Sequence, residues 1–258
     1  MIGCVITTFN SESYYKALYD TIPFDKIDRL VTVNGGEPYT GDYNKNTKWI
    51  QHDVVKYASV ARNDGLKYLY NEGCEHMFVI EDDMLIKSPD IFDHYINASK
   101  QSGIQYFGFA SNAWDAGPIG GRTPRISFQY VEGGYQIELY KNTCNESTYR
   151  SRKCLEKVGY YDENFQYTFD IDWLYRASLT DMVPPFWYFP DISLNDSLIC
   201  NNPDAISRMN PNGERNLKLG PNYKLFHDKH GIMVNKIPSF SYDELRDRID
   251  IIRIRYAK

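Results

Sequence analysis

The feature that most constrains this chain is the alternation of short apolar runs with amphipathic stretches over its first 110 residues. Ile2–Phe9 (IGCVITTF) is a β-branched run with the pattern of a buried strand. Asn10 and Ser11 follow as a turn and cap, and the spacing predicts a helix to about Asp20, ending before Pro23. Asp28–Val33 reads as a second strand stopped by Asn34-Gly35-Gly36, residues 37–47 as a loop, and Lys48–His52 as a short third strand. Ala58–Tyr70 carries apolar residues at helical spacing, with Gly73 as its stop. Met77–Ile80 (MFVI) is wholly apolar and runs directly into Glu81-Asp82-Asp83. Ser88-Pro89 opens a predicted helix to about Ser102, and Gln105–Ala110 is a further strand. Strands separated by helices cannot pair as tight hairpins, so the pattern predicts an α/β, mostly parallel, doubly wound sheet. Ligands of such sheets bind at the carboxyl ends of the strands, which singles out Thr7–Asn10, Asn34–Gly36 and Glu81–Asp83.

Beyond residue 110 the pattern changes. Gly-rich turns and alternating segments such as Ile126–Val131 and Tyr135–Tyr140 predict a small antiparallel insertion between Ser111 and Tyr149. Helices are expected over Ser151–Val158, ended by Gly159, and over Asp172–Leu179. Residues 190–225 are rich in Asn, Pro and Asp and read as a long surface loop. The tail reads as a helix with a capping box, Ser241 toward Glu244. The expectation is one domain over 1–258, with about 1–110 as an α/β half and about 111–258 as a second half with a C-terminal helix.

A net charge of -5 argues against a large nucleic-acid footprint, which needs a concentrated basic patch. The five cysteines are scattered without CxxC spacing, as reduced thiols are. Neither a signal peptide nor an apolar run of the ~20 residues needed to span a bilayer is visible. The expected location is therefore cytoplasmic, and the sequons at Asn97, Asn145 and Asn195 carry no weight.

Glu81-Asp82-Asp83 is the strongest chemical signal. Three carboxylates at the end of an apolar strand repel one another unless a cation or hydrogen-bond donors compensate. Mn²⁺ or Mg²⁺ takes oxygen ligands and shares them between a carboxylate and substrate phosphates. The plainer alternative is a solvated acidic loop.

The stretch Ser59–Asp83 (SVARNDGLKYLYNEGCEHMFVIEDD) resembles the family 2 glycosyltransferases of the GT-A fold, in which a helix bearing A-R-N-x-G leads into a strand ending in a DxD-type motif. The resemblance implies Asp83 as metal ligand, with Glu81 and Asp82 facing ribose and donor sugar. Val5–Asn10 (VITTFN) is similar to the family's first strand, which implies that Thr7, Thr8 and Phe9 touch nucleobase and ribose. Asn34 stands where the family has an Asp that reads the base. Arg62 is either a diphosphate contact or a solvated helix-face arginine. Lys157–Arg176 (KVGYYDENFQYTFDIDWLYR) resembles the family block that carries a Glu-Asp pair near its end, with Phe169 in place of the Glu. Asp170 is then the general base of an inverting transfer, its bland alternative being a helix cap, and Asp172 either caps the helix or holds acceptor. Leu225–Gly231 (LFHDKHG) resembles a late family segment that supplies a metal-binding His; His227 is preferred over His230. Trp114, by analogy of position, is an acceptor-binding residue or simply core.

The function implied is metal-dependent transfer of a sugar from a nucleotide-diphosphate sugar donor to an unidentified acceptor hydroxyl, on a glycan, protein, small molecule or modified nucleic acid. The same resemblance implies about 1–110 as the nucleotide-sugar-binding half and about 111–258 as the acceptor-binding half. The rivals are a nucleotidyltransferase and a non-catalytic sugar- or nucleotide-binding module of the same fold. The former normally has a Gly-rich basic loop after its first strand, whereas Asn10-Ser11-Glu12 is neither.

Overall fold

The computed structural model describes residues 1–43, 47–54, 56–109, 126–129, 134–140, 147–192, 198–204 and 214–258. Its centre is a six-stranded sheet of β1 (Ile2–Thr8), β2 (Arg29–Asn34), β3 (Thr47–Gln51), β4 (His76–Glu81), β6 (Tyr106–Gly108) and β9 (Thr148–Ser151), in the order β3-β2-β1-β4-β9-β6. The first four strands are parallel, while β9 runs antiparallel to both β4 and β6. The α/β, mainly parallel architecture expected from the alternation is thus the observed one.

Strand alternation sorts the core into two layers. Cys4, Ile6, Leu30, Phe78 and Ile80 face α1 (Glu12–Tyr19), α3 (Ile91–Ser102) and α7 (Tyr242–Tyr256). Val5, Val31, Val33, Met77 and Val79 face α2 (Ala58–Asn71), α4 (Arg152–Val158), α5 (Phe169–Ser178) and α6 (Glu214–His230). Because strand side chains alternate between faces, an uninterrupted apolar run such as MFVI is legible only as a strand covered on both sides. Gly65 shows how closely α2 approaches the sheet. A β-carbon there would lie 2.4 Å from Val5 Cγ1, so α2 lies against β1 only with glycine at that position.

A smaller antiparallel sheet, β10-β8-β7, joins β7 (Ile126–Gln129), β8 (Gln136–Tyr140) and β10 (Phe189–Ile192). A two-stranded pair joins β5 (Met84–Ile86) to β11 (Ile199–Asn201). Several boundaries differ from expectation. The helix expected from Ser88 begins at Ile91, because Ser88 Oγ accepts from Asp90 N at 3.3 Å and holds a turn first. The helix expected from Asp172 begins at Phe169, which puts Asp170 and Asp172 together in its first turn. Residues 190–225 are not one long loop: they contain β10, β11 and most of α6. Gly220-Pro221 hid that helix; Asn222 Oδ1 beside them accepts from Gln166 N at 3.0 Å and ties α6 to the segment before α5. The insertion also ends sooner than read, since Thr148–Ser151 returns to the central sheet as β9.

Candidate functional site

The carboxyl ends of the parallel strands form one edge. Register places Thr7 opposite Glu81 and Thr8 opposite Asn34, with Asn34 opposite Gln51. Each acid of the triplet then takes a different course. Glu81, still in β4, points to Arg62 of α2 and forms an ion pair with it. Asp82 is buried and accepts from Thr8 Oγ1 at 2.5 Å. Asp83 starts the turn into β5, and its carbonyl accepts from Asn202 N at 2.6 Å.

Thr8 is the middle of a relay. Its single hydroxyl hydrogen goes to the Asp82 carboxylate, so the Tyr39 hydroxyl, 2.5 Å away, donates to Thr8 and in turn accepts from Ser11 N at 2.9 Å. Such chains polarise in one direction and hold the acid at their end. Burial pushes the Tyr39 hydroxyl above the ordinary tyrosine value, which keeps its proton in place. Tyr39 carries no signal in a loop of turn residues, and the sequence reading missed it.

Asn34 is wholly buried and organises its own loop. Its Nδ2 donates to Glu37 O at 2.8 Å and Gln51 Oε1 at 3.1 Å, while Oδ1 accepts from Gly36 N at 2.9 Å. Gly36 packs on Asn10 so tightly that a β-carbon would lie 2.2 Å from Asn10 Oδ1. Phe9 is exposed at the end of β1 beside Gly35.

Arg62 is not a solvated helix-face residue. It is 3% exposed, pairs with Glu81, and sits with Cζ 5.0 Å from the Phe169 ring and 5.9 Å from that of Tyr161. Burial disfavours its charge, but Glu81, Tyr161 and Asp170 outweigh that and raise its pKa above the ordinary arginine value. Arg62 therefore lies between the end of β4 and the start of α5, bringing Glu81 and Asp170 into one electrostatic neighbourhood. Asp170 is half-buried in the first turn of α5, and the N-cap position belongs to Thr168. A carboxylate in that turn is favoured by the helix dipole.

Asp172 turns the other way. It is fully buried and accepts from His230 Nε2 and Lys229 Nζ, both at 2.8 Å, and from Arg176 Nε at 3.0 Å. Arg176 also donates to Val158 O at 2.5 Å and Tyr160 O at 2.7 Å. His230 packs its ring on Tyr175 and Phe226. The late His-containing segment thus docks α6 on α5 through His230. His227 is half-exposed, with Nδ1 3.7 Å from Asp228 Oδ1. Trp114 lies outside the described residues.

Asp83 would offer a hard divalent cation a carboxylate oxygen, and its chain neighbours Asp82 and Glu81 are engaged by Thr8 and Arg62. Among the described residues there is no group of three or more His, Cys, Asp or Glu that could hold a metal ion by itself. A cation there would complete its shell from phosphate oxygens and water, the usual arrangement for Mg²⁺. Among the described residues no helix is long and apolar enough to cross a membrane.

No family model matches the chain, and no curated protein matches it either. Solved structures do. S. aureus TarS is 16% identical over 68% of this chain and 33% of its own, with a TM-score of 0.48. The mannosyltransferase PcManGT from Pyrobaculum calidifontis, solved in complex with GDP-Man and Mn²⁺, is 11% identical over 72% of this chain and 55% of its own, at 0.46. A glycosyltransferase involved in the glycosylation of the major capsid of PBCV-1 is 11% identical over 68% of this chain and 66% of its own, at 0.35. The chain spans about a third and about half of the first two structures.

Proposed function

We propose that this chain is a GT-A-type glycosyltransferase that moves a sugar from a nucleotide-diphosphate donor to an acceptor hydroxyl with inversion. The observation that carries the reading is that buried Arg62 pairs with Glu81 at the carboxyl end of β4 and feels the charge of Asp170, while Asp82, next to Glu81, is tied to Thr8. Nucleotide lies along the ends of β1 and β2, against Thr7, Thr8 and Phe9, with Asn34 shaping the loop that covers it. Asp83 would hold Mn²⁺ or Mg²⁺, which would supply positive charge to the leaving diphosphate. Glu81 and Asp82, fixed by Arg62 and Thr8, accept hydrogen bonds from the hydroxyls of ribose and donor sugar.

Asp170 supplies the base. It removes the acceptor hydroxyl proton as that oxygen bonds to the anomeric carbon. The bond from the anomeric carbon to the diphosphate oxygen breaks on the opposite side, and the nucleoside diphosphate leaves with the electron pair. The sugar passes through an oxocarbenium-like state, as in glycoside hydrolysis. Asp172, tied to Arg176, Lys229 and His230, is assigned to the docking of α6 rather than to acceptor.

The test is a thermal-shift screen of uridine, guanosine, thymidine and cytidine diphosphate sugars, each with Mn²⁺ and with chelator, on wild type, Asp83→Ala and Asp170→Ala. The expected result is a metal-dependent shift for one base that Asp83→Ala loses and Asp170→Ala keeps. Asp170→Ala should then fail to turn over that donor. A shift with nucleoside triphosphates and with no diphosphate sugar would replace this reading by nucleotidyl transfer.

A further inference from the structure

Arg150 is a charged residue in the middle of an apolar layer. It lies in β9 between Met77 and Tyr106, fully buried, on the sheet face covered by α2, α4 and α5. Its guanidinium is caged by rings, with Cζ 4.4 Å from the Trp173 ring centre, 4.8 Å from Tyr161 and 5.7 Å from Tyr106. Nη2 donates to Thr148 Oγ1 at 3.1 Å and to the Tyr161 hydroxyl. Nε and Nη1 are buried and have no hydrogen-bond acceptor. Among the described residues Arg150 makes no ion pair.

This is an unfavourable way to fill a core. Aromatic faces attract a cation, but a buried charge with two N–H groups lacking acceptors keeps most of its desolvation penalty. An apolar side chain of similar volume would fill the space without that penalty. Residues that break the stability rules at sound positions concentrate at functional sites.

The cage leads to the start of α5. Tyr161 carries Arg150 on its ring at 4.8 Å and Arg62 at 5.9 Å, so two buried guanidiniums share it. Arg62 also covers Phe169, the residue before Asp170, while Arg150 covers Trp173, one turn further along the same helix. Trp173 Nε1 donates to Gly159 O at 2.8 Å, which anchors its ring. The charges of Arg150, Asp170 and Arg62 all act on the buried Tyr106 hydroxyl.

We infer that Arg150 is a positioning residue for Asp170, clamping Tyr161 and Trp173 so that the first turn of α5 holds the Asp170 carboxylate toward the carboxyl edge of the sheet. This rests on the proposed reading of Asp170 as the base. Arg150 touches no substrate; it acts through the two rings and the helix they carry.

The test uses the full chain as wild type, Arg150→Met, Arg150→Lys and Tyr161→Phe. Three quantities are measured: melting temperature, calorimetric binding of UDP, GDP, dTDP and CDP with Mn²⁺, and release of nucleoside diphosphate from the matching nucleotide sugar. Arg150→Met should melt at the wild-type temperature or above and bind the same nucleotide within about twofold. Its kcat should fall roughly ten- to a hundredfold at unchanged donor KM, as expected for a displaced base. Arg150→Lys should recover part of that loss, because the charge and its ring contacts are partly kept. Tyr161→Phe, which removes the hydroxyl shared by Arg150 Nη2 and Arg62 and leaves the ring, should lower kcat with little change in melting temperature. Wild-type kcat in both Arg150→Met and Tyr161→Phe overturns the inference. So does a parallel loss of melting temperature, nucleotide affinity and kcat, or an Arg150→Met chain that does not fold while Tyr161→Phe turns over normally, since these mark a structural role. Absence of turnover of any donor by the wild type would instead defeat the transferase reading, and the inference with it.

Discussion

Replacing Asp172 by Asn tests whether this acid holds the fold or the acceptor. The carboxylate is 0% exposed and receives His230 Nε2, Lys229 Nζ and Arg176 Nε. Asn keeps the shape and one acceptor oxygen but turns an amide N–H₂ toward donors. At least one charge-assisted hydrogen bond is lost, about 1.5–3 kcal/mol, and removal of one partner of a buried ion pair costs about 3–5 kcal/mol. Two features moderate this. Lys229 is 30% exposed and keeps Asp162, and Arg176 is 22% exposed and keeps two backbone carbonyls. His230, only 10% exposed, has no such second acceptor among its hydrogen bonds in the described residues and loses most. The net expectation is about 3 kcal/mol, or roughly 6–12 °C in Tm for a domain of this size. Urea and thermal unfolding of Asp172→Asn, His230→Phe and the double variant measure it. The double variant should cost at least about 1 kcal/mol less than the sum of the singles, because the same contact is removed twice. A Tm within about 2 °C of wild type, with strict additivity, would refute the argument and return Asp172 to the acceptor side.

Two further outcomes follow from the same geometry. Thr8→Val removes the middle of the Ser11–Tyr39–Thr8–Asp82 relay and leaves a buried carboxylate short of a donor. It should cost about 2 kcal/mol in unfolding free energy and weaken nucleotide-diphosphate binding; unchanged values for both refute the relay. His76 is the acid-sensitive point of β4. Burial first, then Lys100, the N-terminal amine and the Lys258 ammonium, push its pKa down to about 4, while it contacts the Tyr149 hydroxyl through Nδ1 at 2.9 Å. A base with a depressed folded pKa binds its proton more readily when unfolded. Its contribution is therefore fully present above about pH 6.5 and is lost as pH falls toward 4. The slope attributable to His76 is at most about 1.4 kcal/mol per pH unit before screening, and His76→Gln should flatten the urea midpoint across that window; an unchanged profile refutes it.

The layered α/β core was legible in the sequence because its signal is local. Apolar periodicity marks MFVI as a strand covered on both faces and marks Ala58–Tyr70 as a helix, and those residues are enough to put Glu81-Asp82-Asp83 at the carboxyl edge of the parallel sheet. The capping box at Ser241 and Glu244 is equally local, and it is present. What failed locally failed for identifiable reasons. Gly220-Pro221 hid α6, and the three-residue β5 and β11 exist only because they pair across more than a hundred residues of chain.

The division of labour among the acids was decided by tertiary structure. Asp170 and Asp172 are two residues apart and indistinguishable by composition, yet on a helix they point about 200° apart. Asp172 is turned to His230, 58 positions away, and Asp170 toward Arg62. Sequence could name Arg62 as a candidate, but not that Phe169 and Tyr161 enclose it. It gave no sign of Tyr39, or of Arg150 standing in an apolar layer. A periodic pattern says which face of an element is buried. Which polar groups meet there depends on contacts between elements distant in the chain, and only their packing brings these together.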